Sequence, residues 1–452
     1  MVYNTWHMNP KIFKAYDIRG IYPDELDGKT AYALGRAIAQ YLEAKNIAVG
    51  RDARPSSPEL FAELCKGITE AGSNVLDLGL ATTPMVYFAS HESGIEGSIS
   101  LTASHNPPNW NGMKITKKDA VPVGGNSGLK EIQEIATKGE FKRLPMHGGV
   151  IACPIQDSYA KKLGSFWLLG DKKYKMVIDA GNAMGVLELP IYDIVKDNVS
   201  ITKLYCDLDH AFDCHEANPL KTETLDELRK KVSEERADLG IAYDGDADRV
   251  GFVDETGTVV PMDLITAILS APVLEKYPKA TILYDLRSSM SVREEIEKNG
   301  GKAVECMVGH ANIKKQMREE NAVMAGELSG HYYFRENSNA EASTLAVIFI
   351  MNRMAKTGKK LSELVAEVKK YYHSGEINST VADAPSIMEK LKEKYKDGTF
   401  SELDGIKISY PDWWFNVRSS NTEPLLRLNV EAKTKEMMEN KRDELLKIIT
   451  NS

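Results

Sequence analysis

Short apolar runs alternate with amphipathic helical patterns along most of this 452-residue chain, and this alternation limits the folds that the chain can adopt. In the first round, residues 47–49 and 75–78 are apolar runs of strand length, and Ser57 and Gly72 bound a helical stretch between them. A helix between two strands returns the chain to the same end of the sheet, so such strands pair in parallel. The alternation therefore predicts α/β domains.

The same alternation begins again twice and then stops. The second round contains strands at residues 175–179 and 239–243, with a helix predicted at 185–195. The third round ends at a strand over residues 323–325, and beyond it strands follow one another closely, which favours antiparallel pairing. We therefore predict an α/β fold: three tandem related α/β domains with mixed sheets, a C-terminal α+β domain, and an active-site cleft at the centre. The predicted domains are residues 1–152, 153–255, 256–370 and 371–452.

The net charge, the cysteines and the apolar runs limit the partners and the cellular location that we expect for this protein. A formal net charge of -8 does not favour nonspecific binding to nucleic acid or to an anionic membrane, and a small anionic substrate would need a local cluster of Arg and Lys. The five cysteines are scattered without a C-x-x-C pair, which is typical of reduced thiols. The N-terminus lacks a signal pattern, and the most apolar run, residues 345–351, is far shorter than the ~20 residues of a membrane span. We expect a soluble cytoplasmic protein without nucleic-acid or membrane partners.

A loop hydroxyl follows the predicted strand at residues 97–101. Ser104 stands in T-A-S-H-N-P, after small residues and before a Pro-Pro pair that a helix cannot accommodate. Its Oγ can be presented openly, with backbone N–H groups free to face an anion, although a solvated turn would have the same composition. The adjacent His105 is not expected to face this hydroxyl, because neighbours in an extended loop point apart.

Three carboxylates stand at alternate positions in a tight turn between two predicted strands: Asp244, Asp246 and Asp248. Convergent carboxylate oxygens suit a hard cation such as Mg²⁺, whereas three solvated turn aspartates would repel one another. A calcium EF-hand is excluded, because Arg249 stands where that loop needs Gly and because strands flank the turn. Open positions on such a metal would suit a phosphate oxygen, with Arg249 beside it as a positive group.

Two later loops carry hydrogen-bonding side chains. Glu327 and Ser329 alternate in G-E-L-S-G-H and can point to one side, as binding of adjacent sugar hydroxyls requires; a β-turn with a helix cap is the plainer interpretation. The segment R-S-S-N-T-E-P begins at Arg418, and Arg427 follows shortly after it. An Arg fork, two hydroxyls and an Asn amide suit a phosphate, although a polar hairpin has the same composition. This segment supplies the local positive cluster that an anionic substrate needs.

The four motifs together resemble those of the α-D-phosphohexomutase superfamily. T-A-S-H-N-P, D-G-D-A-D-R, G-E-L-S-G-H and R-S-S-N-T-E-P occur in the superfamily's order, one per predicted domain, and the chain looks most like the bacterial and archaeal phosphomannomutase/phosphoglucomutase family. The resemblance implies that Ser104 carries the transferable phosphate. It also implies that the three aspartates of the second motif bind Mg²⁺ together with phosphorylated Ser104.

The resemblance also implies roles for residues outside the serine loop and the aspartate turn. Glu327 and Ser329 match residues that bind the 3- and 4-hydroxyls of the sugar. A loop that binds the untransferred phosphate is matched by Arg418, Ser420, Asn421 and Thr422. Further substrate contacts are expected at Tyr16, Arg287, Gly309 and Arg427. Related enzymes often have Lys where Arg287 stands. Catalytic candidates besides Ser104 are Arg19, Lys114, Arg249, His310 and His331. Among these, Lys114 matches a lysine proposed to assist proton transfer.

The predicted reaction moves phosphate between O6 and O1 of a hexose, mannose and/or glucose. It runs through a phosphoserine enzyme and a hexose 1,6-bisphosphate, which is also the activator. Leu328 and Asn421 favour these sugars over glucosamine, since phosphoglucosamine mutases usually carry Gln and Gly there. Phosphoglucosamine mutase, a metal-dependent sugar phosphatase and a noncatalytic phosphosugar-binding protein are the alternatives. The sequence leaves open whether the protein is a monomer or a homo-oligomer.

Overall fold

The computed structural model describes residues 8–141, 146–208, 214–419 and 425–450. These residues form four sheets, ordered along the chain as three α/β domains followed by an α+β domain, and the predicted fold class is confirmed. The domain boundaries at residues 152, 255 and 370 stay a prediction. No helix within the described ranges is long and apolar enough to span a bilayer.

The first domain is built around a mixed sheet. Its strands are β1 (Ile18–Ile21), β2 (Asn46–Arg51), β3 (Asn74–Leu80), β4 (Gly97–Leu101), β5 (Trp110–Lys117), β6 (Val121–Pro122) and β7 (Val150–Ala152), and its helices are α1 (Gly28–Leu42), α2 (Ser57–Glu70), α3 (Thr83–Ala89) and α4 (Lys130–Lys138). The strand order is β1-β5-β4-β2-β3-β7, with β6 on β5. Strands β7, β3, β2 and β4 are parallel, but β5 is antiparallel to β4. The T-A-S-H-N-P loop joins β4 to β5 without the helix that a parallel crossover needs.

The second domain repeats this plan. It contains β8 (Tyr174–Asp179), β9 (Val199–Leu204), β10 (Leu239–Tyr243), β11 (Val250–Asp254) and β12 (Val259–Val260), with α5 (Gln156–Gly164), α6 (Leu189–Asp193) and α7 (Asp226–Glu235). The strand order is β12-β11-β10-β8-β9, and the aspartate turn joins the antiparallel pair β10 and β11. The helix predicted at 185–195 is wrong in part: a 3-10 turn, Met184–Glu188, precedes the short α6. Pro190 lies in the first turn of α6, where its missing N–H is tolerated.

The third domain also carries its motif between two antiparallel strands. Its elements are β13 (Thr281–Asp285), β14 (Lys302–Cys306), β15 (Met324–Gly326), β16 (Tyr332–Phe334) and β17 (Ala340–Glu341), with α8 (Met262–Lys276), α9 (Met290–Lys298), α10 (His310–Glu319), α11 (Ser343–Thr357) and α12 (Leu361–Val368). The strand order is β14-β13-β15-β16-β17. The G-E-L-S-G-H segment turns from β15 into its antiparallel partner β16.

The fourth domain has the antiparallel pairing that its close strands predicted. Its elements are β18 (Tyr372–His373), β19 (Ile377–Thr380), β20 (Thr399–Ser401), β21 (Ile406–Ser409), β22 (Trp413–Ser419) and β23 (Leu425–Ala432), with α13 (Ala384–Lys394) and α14 (Lys435–Thr450). The strand order is β18-β23-β22-β21-β20, with β19 on β23. Strands β22 and β23 pair up to Ser419 opposite Leu426, so residues 420–424 connect them.

One apolar core joins the three α/β domains. Helix α11 is buried along most of its length and packs against α8, in which every residue from Met262 to Leu274 except Pro272 is buried, as in a helix enclosed by protein. One continuous cluster around these helices includes buried side chains from all three domains, while most of the buried side chains of the first domain form a second cluster. The buried side chains of the fourth domain form a cluster of their own. The fourth domain is therefore connected to the rest mainly through polar groups.

Candidate active site

The serine loop of the first domain and the aspartate turn of the second are in direct contact. Ser104 Oγ donates a hydrogen bond of 2.7 Å to Asp244 Oδ2, and Ser104 is almost completely buried. Gly245 permits this approach, because a Cβ there would lie 2.2 Å from the Ser104 carbonyl oxygen. The guanidinium of Arg54, which the sequence did not single out, supports the loop by donating to the carbonyl oxygens of Ser104 and Asn106, each at 2.7 Å.

The conformation of Ser104 corrects one expectation. Ser104 has a φ of 52°, a left-handed conformation that is unfavourable for a residue with a Cβ. The loop is therefore not extended there, and His105 Nδ1 lies 3.1 Å from Ser104 Oγ, whereas the sequence predicted that the two side chains point apart. Burial, together with Arg249 and Arg19, lowers the pKa of His105 to about 2. His105 is thus a neutral partner of the hydroxyl.

The three aspartates fit a divalent cation. One carboxylate oxygen from each of Asp244, Asp246 and Asp248 lies within 4.8 Å of the others, and all three residues are buried. Asp246 Oδ1 has no hydrogen-bond partner among the described residues, although an unpaired buried carboxylate oxygen is costly. Burial, with the charges of Asp248 and Asp246, raises the pKa of Asp244 to about 8. A bound cation would satisfy the unpaired oxygen and relieve the repulsion.

Lys114 crosses from the first domain into this acidic turn. It lies on β5 opposite Ser100, and its Nζ is 2.7 Å from Asp246 Oδ2 and 2.5 Å from Asp248 Oδ2. Burial by itself lowers the pKa of Lys114, but the two carboxylates outweigh burial and raise the pKa above its ordinary value. Lys114 is therefore a buried cation at the centre of the predicted metal loop.

Arg19 and Arg249 border the same loops. Arg19 Nη1 donates to Asn106 Oδ1 at 2.5 Å, beside Ser104, and Arg19 Nε is held by Asp17 at 2.9 Å. Arg249 Nε lies 3.8 Å from Asp244 Oδ2. Arg19, a predicted catalytic residue, thus reaches the serine loop, and both guanidinium groups add positive charge next to Ser104 and the aspartates.

His331 links the aspartate turn to the predicted sugar loop. Its Nδ1 is 3.0 Å from Glu327 Oε2 and 2.7 Å from Ser329 Oγ, so both predicted sugar ligands converge on one nitrogen. Its Nε2 lies 3.3 Å from Asp248 Oδ1. Burial disfavours a charged ring, but Asp248 and Glu327 outweigh it and raise the pKa of His331 to about 9. The loops are also joined by backbone, since the N–H of Val250 donates to the carbonyl of Gly330 at 3.1 Å.

Tyr16, Gly309 and His310 form another side of the site. The N–H of Gly309 donates to Glu327 Oε1 at 3.2 Å, and Gly309 has a φ of 109° that favours glycine. A Cβ there would lie 2.7 Å from the Tyr16 ring, which meets the His310 ring edge-on at 5.8 Å. Burial and the charge of Lys314 hold the pKa of His310 well below its usual range, so its ring is neutral.

The phosphate loop is described only in part. Ser420, Asn421 and Thr422 lie outside the described residues. Arg418 Nη2, Arg287 Nη1 and Arg427 Nη1 converge on the carboxylate of Glu376, at 2.8, 3.5 and 3.7 Å. No sequence signal indicated Glu376, because it stands in an ordinary connection between strands.

Arg287 connects this arginine cluster to the sugar loop. Its guanidinium donates two hydrogen bonds to Asp285, of 2.8 and 3.2 Å, and lies 3.6 Å from Glu327. Burial by itself lowers the pKa of Arg287, but Asp285 and Glu327 outweigh it. Nε of Arg418 and Nε of Arg427 are buried without a hydrogen-bond partner among the described residues. Acidic groups besides Glu376 also pair with this cluster, since Asp285 holds Arg287 and Asp404 Oδ2 lies 3.9 Å from Arg418 Nη1, but the two unpaired Nε–H groups remain able to donate to a phosphate.

Comparisons with known proteins agree with this arrangement of domains. Sequence profiles of phosphoglucomutase/phosphomannomutase match the chain in four consecutive parts. The α/β/α domains I, II and III match residues 10–143, 157–257 and 261–371, and the C-terminal domain matches residues 376–448. The four profiles follow one another in the same order as the four sheets.

Individual relatives cover the chain from end to end. A phosphomannomutase of Methanocaldococcus jannaschii is 41% identical over 97% of each chain. One of Vibrio cholerae is 37% identical over 97% of this chain and 98% of its own. The crystal structure of a phosphoglucomutase/phosphomannomutase family protein from Burkholderia thailandensis has a TM-score of 0.90 at 28% identity and covers 98% of both chains. These likenesses and the fold define the class of the protein as a phosphohexomutase, an isomerase. The chain belongs to the phosphoglucomutase/phosphomannomutase family.

The close contact at Gly245 predicts that a side chain at this position will lower activity. Gly245→Ala places a Cβ against the Ser104 carbonyl oxygen and must push the two loops apart, so we expect kcat to fall by about 10²-fold. Gly149→Ala is the matched control, because its Cβ would meet nothing within 4 Å. Mutase turnover and thermal unfolding measured on both variants test the prediction. Wild-type turnover in Gly245→Ala would show that the contact is not needed.

Proposed function

We propose that this phosphohexomutase interconverts hexose 6-phosphate and hexose 1-phosphate, with mannose and glucose as its sugars, through phosphorylated Ser104. The observation that carries the proposal is the hydrogen bond from Ser104 Oγ to Asp244. A serine hydroxyl held against a cluster of buried carboxylates is costly to maintain in a simple binding protein. The contact supports a phosphate on Ser104 that shares one cation with the aspartates.

The transfer breaks the bond between phosphorus and Ser104 Oγ and forms a bond from phosphorus to the free hydroxyl oxygen of the sugar. The sugar hydroxyl gives up its proton in this step, and Ser104 Oγ takes one up and becomes a hydroxyl again. Mg²⁺, when held by Asp244, Asp246 and Asp248, supplies the charge that neutralises the phosphoryl oxygens. Lys114 is a cation in this environment, so it suits neutralisation of charge near Oγ, and accepting a proton would first require it to lose one. The charged His331 adds a second cation between the metal loop and the sugar.

The other phosphate must be held while the first reacts, and the two must then exchange places. Arg287, Arg418 and Arg427 converge at Glu376, and the buried Nε of Arg418 and of Arg427 has no acceptor among the described residues, which supports binding of the phosphate that is not transferred. Glu327 and Ser329 would hold the sugar in either orientation. Hexose 1,6-bisphosphate then serves as intermediate and, by phosphorylating Ser104 in enzyme that has lost its phosphate, as activator.

We infer that the enzyme works in the cytoplasm on small phosphosugars. Its described cysteines are free, which suits a reducing compartment. The net charge of -8 gives no general attraction to nucleic acid or to an anionic membrane. The proposal assigns no oligomeric state.

The role of Ser104 is tested by removing its hydroxyl. We expect Ser104→Ala to lose more than about 10³-fold of its turnover with mannose 1-phosphate and to carry no phosphate by intact mass. Ser98→Ala is the control, because Ser98 is a buried hydroxyl on β4 that bonds only Thr116 among the described side chains. Retention of full mutase activity by Ser104→Ala would overturn the assignment.

The sugar is tested by a coupled assay started with a trace of hexose 1,6-bisphosphate. We expect higher kcat/KM for mannose and glucose 1-phosphates than for glucosamine 1-phosphate. A preference for glucosamine 1-phosphate would assign the enzyme to the phosphoglucosamine mutases. Release of inorganic phosphate in place of the isomer would identify a phosphatase.

A further inference from the structure

Glu188 is a buried carboxyl that neither the motifs nor the proposed reaction uses. It ends the 3-10 turn Met184–Glu188 of the second domain and is completely buried. Its Oε1 accepts a hydrogen bond of 2.7 Å from Thr82 Oγ1 of the first domain. Its Oε2 accepts one of 2.7 Å from Thr344 Oγ1 of the third domain. One carboxyl therefore joins three domains, at the cost of removing a polar group from water.

The neighbours of both threonines contact the aspartate turn. Thr83, next to Thr82, donates from Oγ1 to Asp246 Oδ2 at 2.6 Å and from its backbone N–H to the Asp246 carbonyl at 3.0 Å. Ser343, next to Thr344, donates to the carbonyl oxygen of Ala247 at 2.6 Å. The positions of these donors depend on the short segments that Glu188 holds.

A third connection reaches the residue before the first aspartate. The hydroxyl of Tyr243 lies 2.7 Å from Thr344 Oγ1 and 2.6 Å from the hydroxyl of Tyr192. Tyr243 is the last residue of β10 and is followed by Asp244. Glu188 is therefore linked by hydrogen bonds to Tyr243, at the entry to the turn, and through the sequence neighbours of its two threonine partners to Asp246 and Ala247 within the turn.

We propose that Glu188 is a positioning residue for the aspartate turn, which it holds in the geometry that binds the metal. The inference rests on the proposed function, because it concerns the proposed Mg²⁺ site. Glu188 contacts none of Ser104, the three aspartates or the sugar loop, so it acts through the hydroxyl groups. An apolar side chain could fill its space but would leave Thr82 and Thr344 without their acceptor.

Metal binding measured apart from turnover tests the proposal. We expect Glu188→Leu to weaken Mn²⁺ binding, followed by calorimetry or electron paramagnetic resonance on the full chain, by at least about tenfold. The KM for the sugar phosphate should stay within about twofold, since the sugar loop is not held by Glu188. Glu188→Gln keeps the shape and one oxygen, and we expect a partial rescue, with Mn²⁺ binding at least about threefold weaker than in the wild type.

The matched control is Glu431→Leu. Glu431 is also a buried carboxyl at a domain junction, where it accepts from Trp414 Nε1 at 2.7 Å and from the N–H of Met290 at 2.9 Å, away from the aspartate turn. The Glu431→Leu variant should have a lower unfolding temperature than the wild type but the same Kd for Mn²⁺. If Glu188→Leu also lowers only the unfolding temperature, Glu188 is merely structural and the proposal is wrong. Should Glu188→Leu not fold, Glu188→Gln decides: a Kd less than threefold above that of the wild type overturns the proposal.

The proposed metal site and the positioning role of Glu188 are tested separately. A wild-type protein that binds no Mn²⁺, or whose binding survives Asp246→Asn, would contradict the proposed metal site itself. Wild-type binding that depends on Asp246 but not on Glu188 would contradict only the positioning role.

Discussion

The contact between Ser104 and Asp244 is the constraint on which the rest of the site depends. It brings a hydroxyl of one domain against three buried carboxylates of another, an arrangement that electrostatic repulsion and desolvation both oppose. The protein supports it from several sides. Arg54 fixes the serine loop, Lys114 neutralises part of the aspartate turn, and Gly245 leaves room for the backbones to meet.

The position of the chemistry follows from the connections between strands. Three motifs lie where one strand turns directly into an antiparallel neighbour, and the fourth spans the connection from β22 to β23. A direct connection of this kind places its side chains at one edge of a sheet, and in the first three domains the parallel strands beside it supply a rigid base. The continuous core of the first three domains then fixes their loops against one another. The fourth domain meets them through charged groups, such as its Glu376 against Arg287 of the third domain.

The sequence predicted those features of the fold that depend only on residues close together in the chain. The alternation of apolar runs gave the α/β domains, since burial of a strand face needs only residues near in sequence. The helix at 185–195 was wrong in part, because the chain enters α6 through a 3-10 turn that the apolar pattern does not distinguish. His105 was misplaced because the left-handed backbone of Ser104 cannot be read from residue type. Arg54, Glu188 and Glu376 gave no signal, since their partners lie in distant segments.

The sequence by itself determined which residue types stand in each loop: a hydroxyl, three alternating carboxylates, a Glu and Ser pair, and an arginine-rich turn. These patterns are short, and each keeps its meaning whatever surrounds it. Only the tertiary structure decided that Ser104 touches Asp244, that Lys114 is a buried cation between two aspartates, and that His331 joins the aspartate turn to Glu327 and Ser329. Charge states and contacts of this kind depend on burial and on partners from other domains, which no single segment specifies.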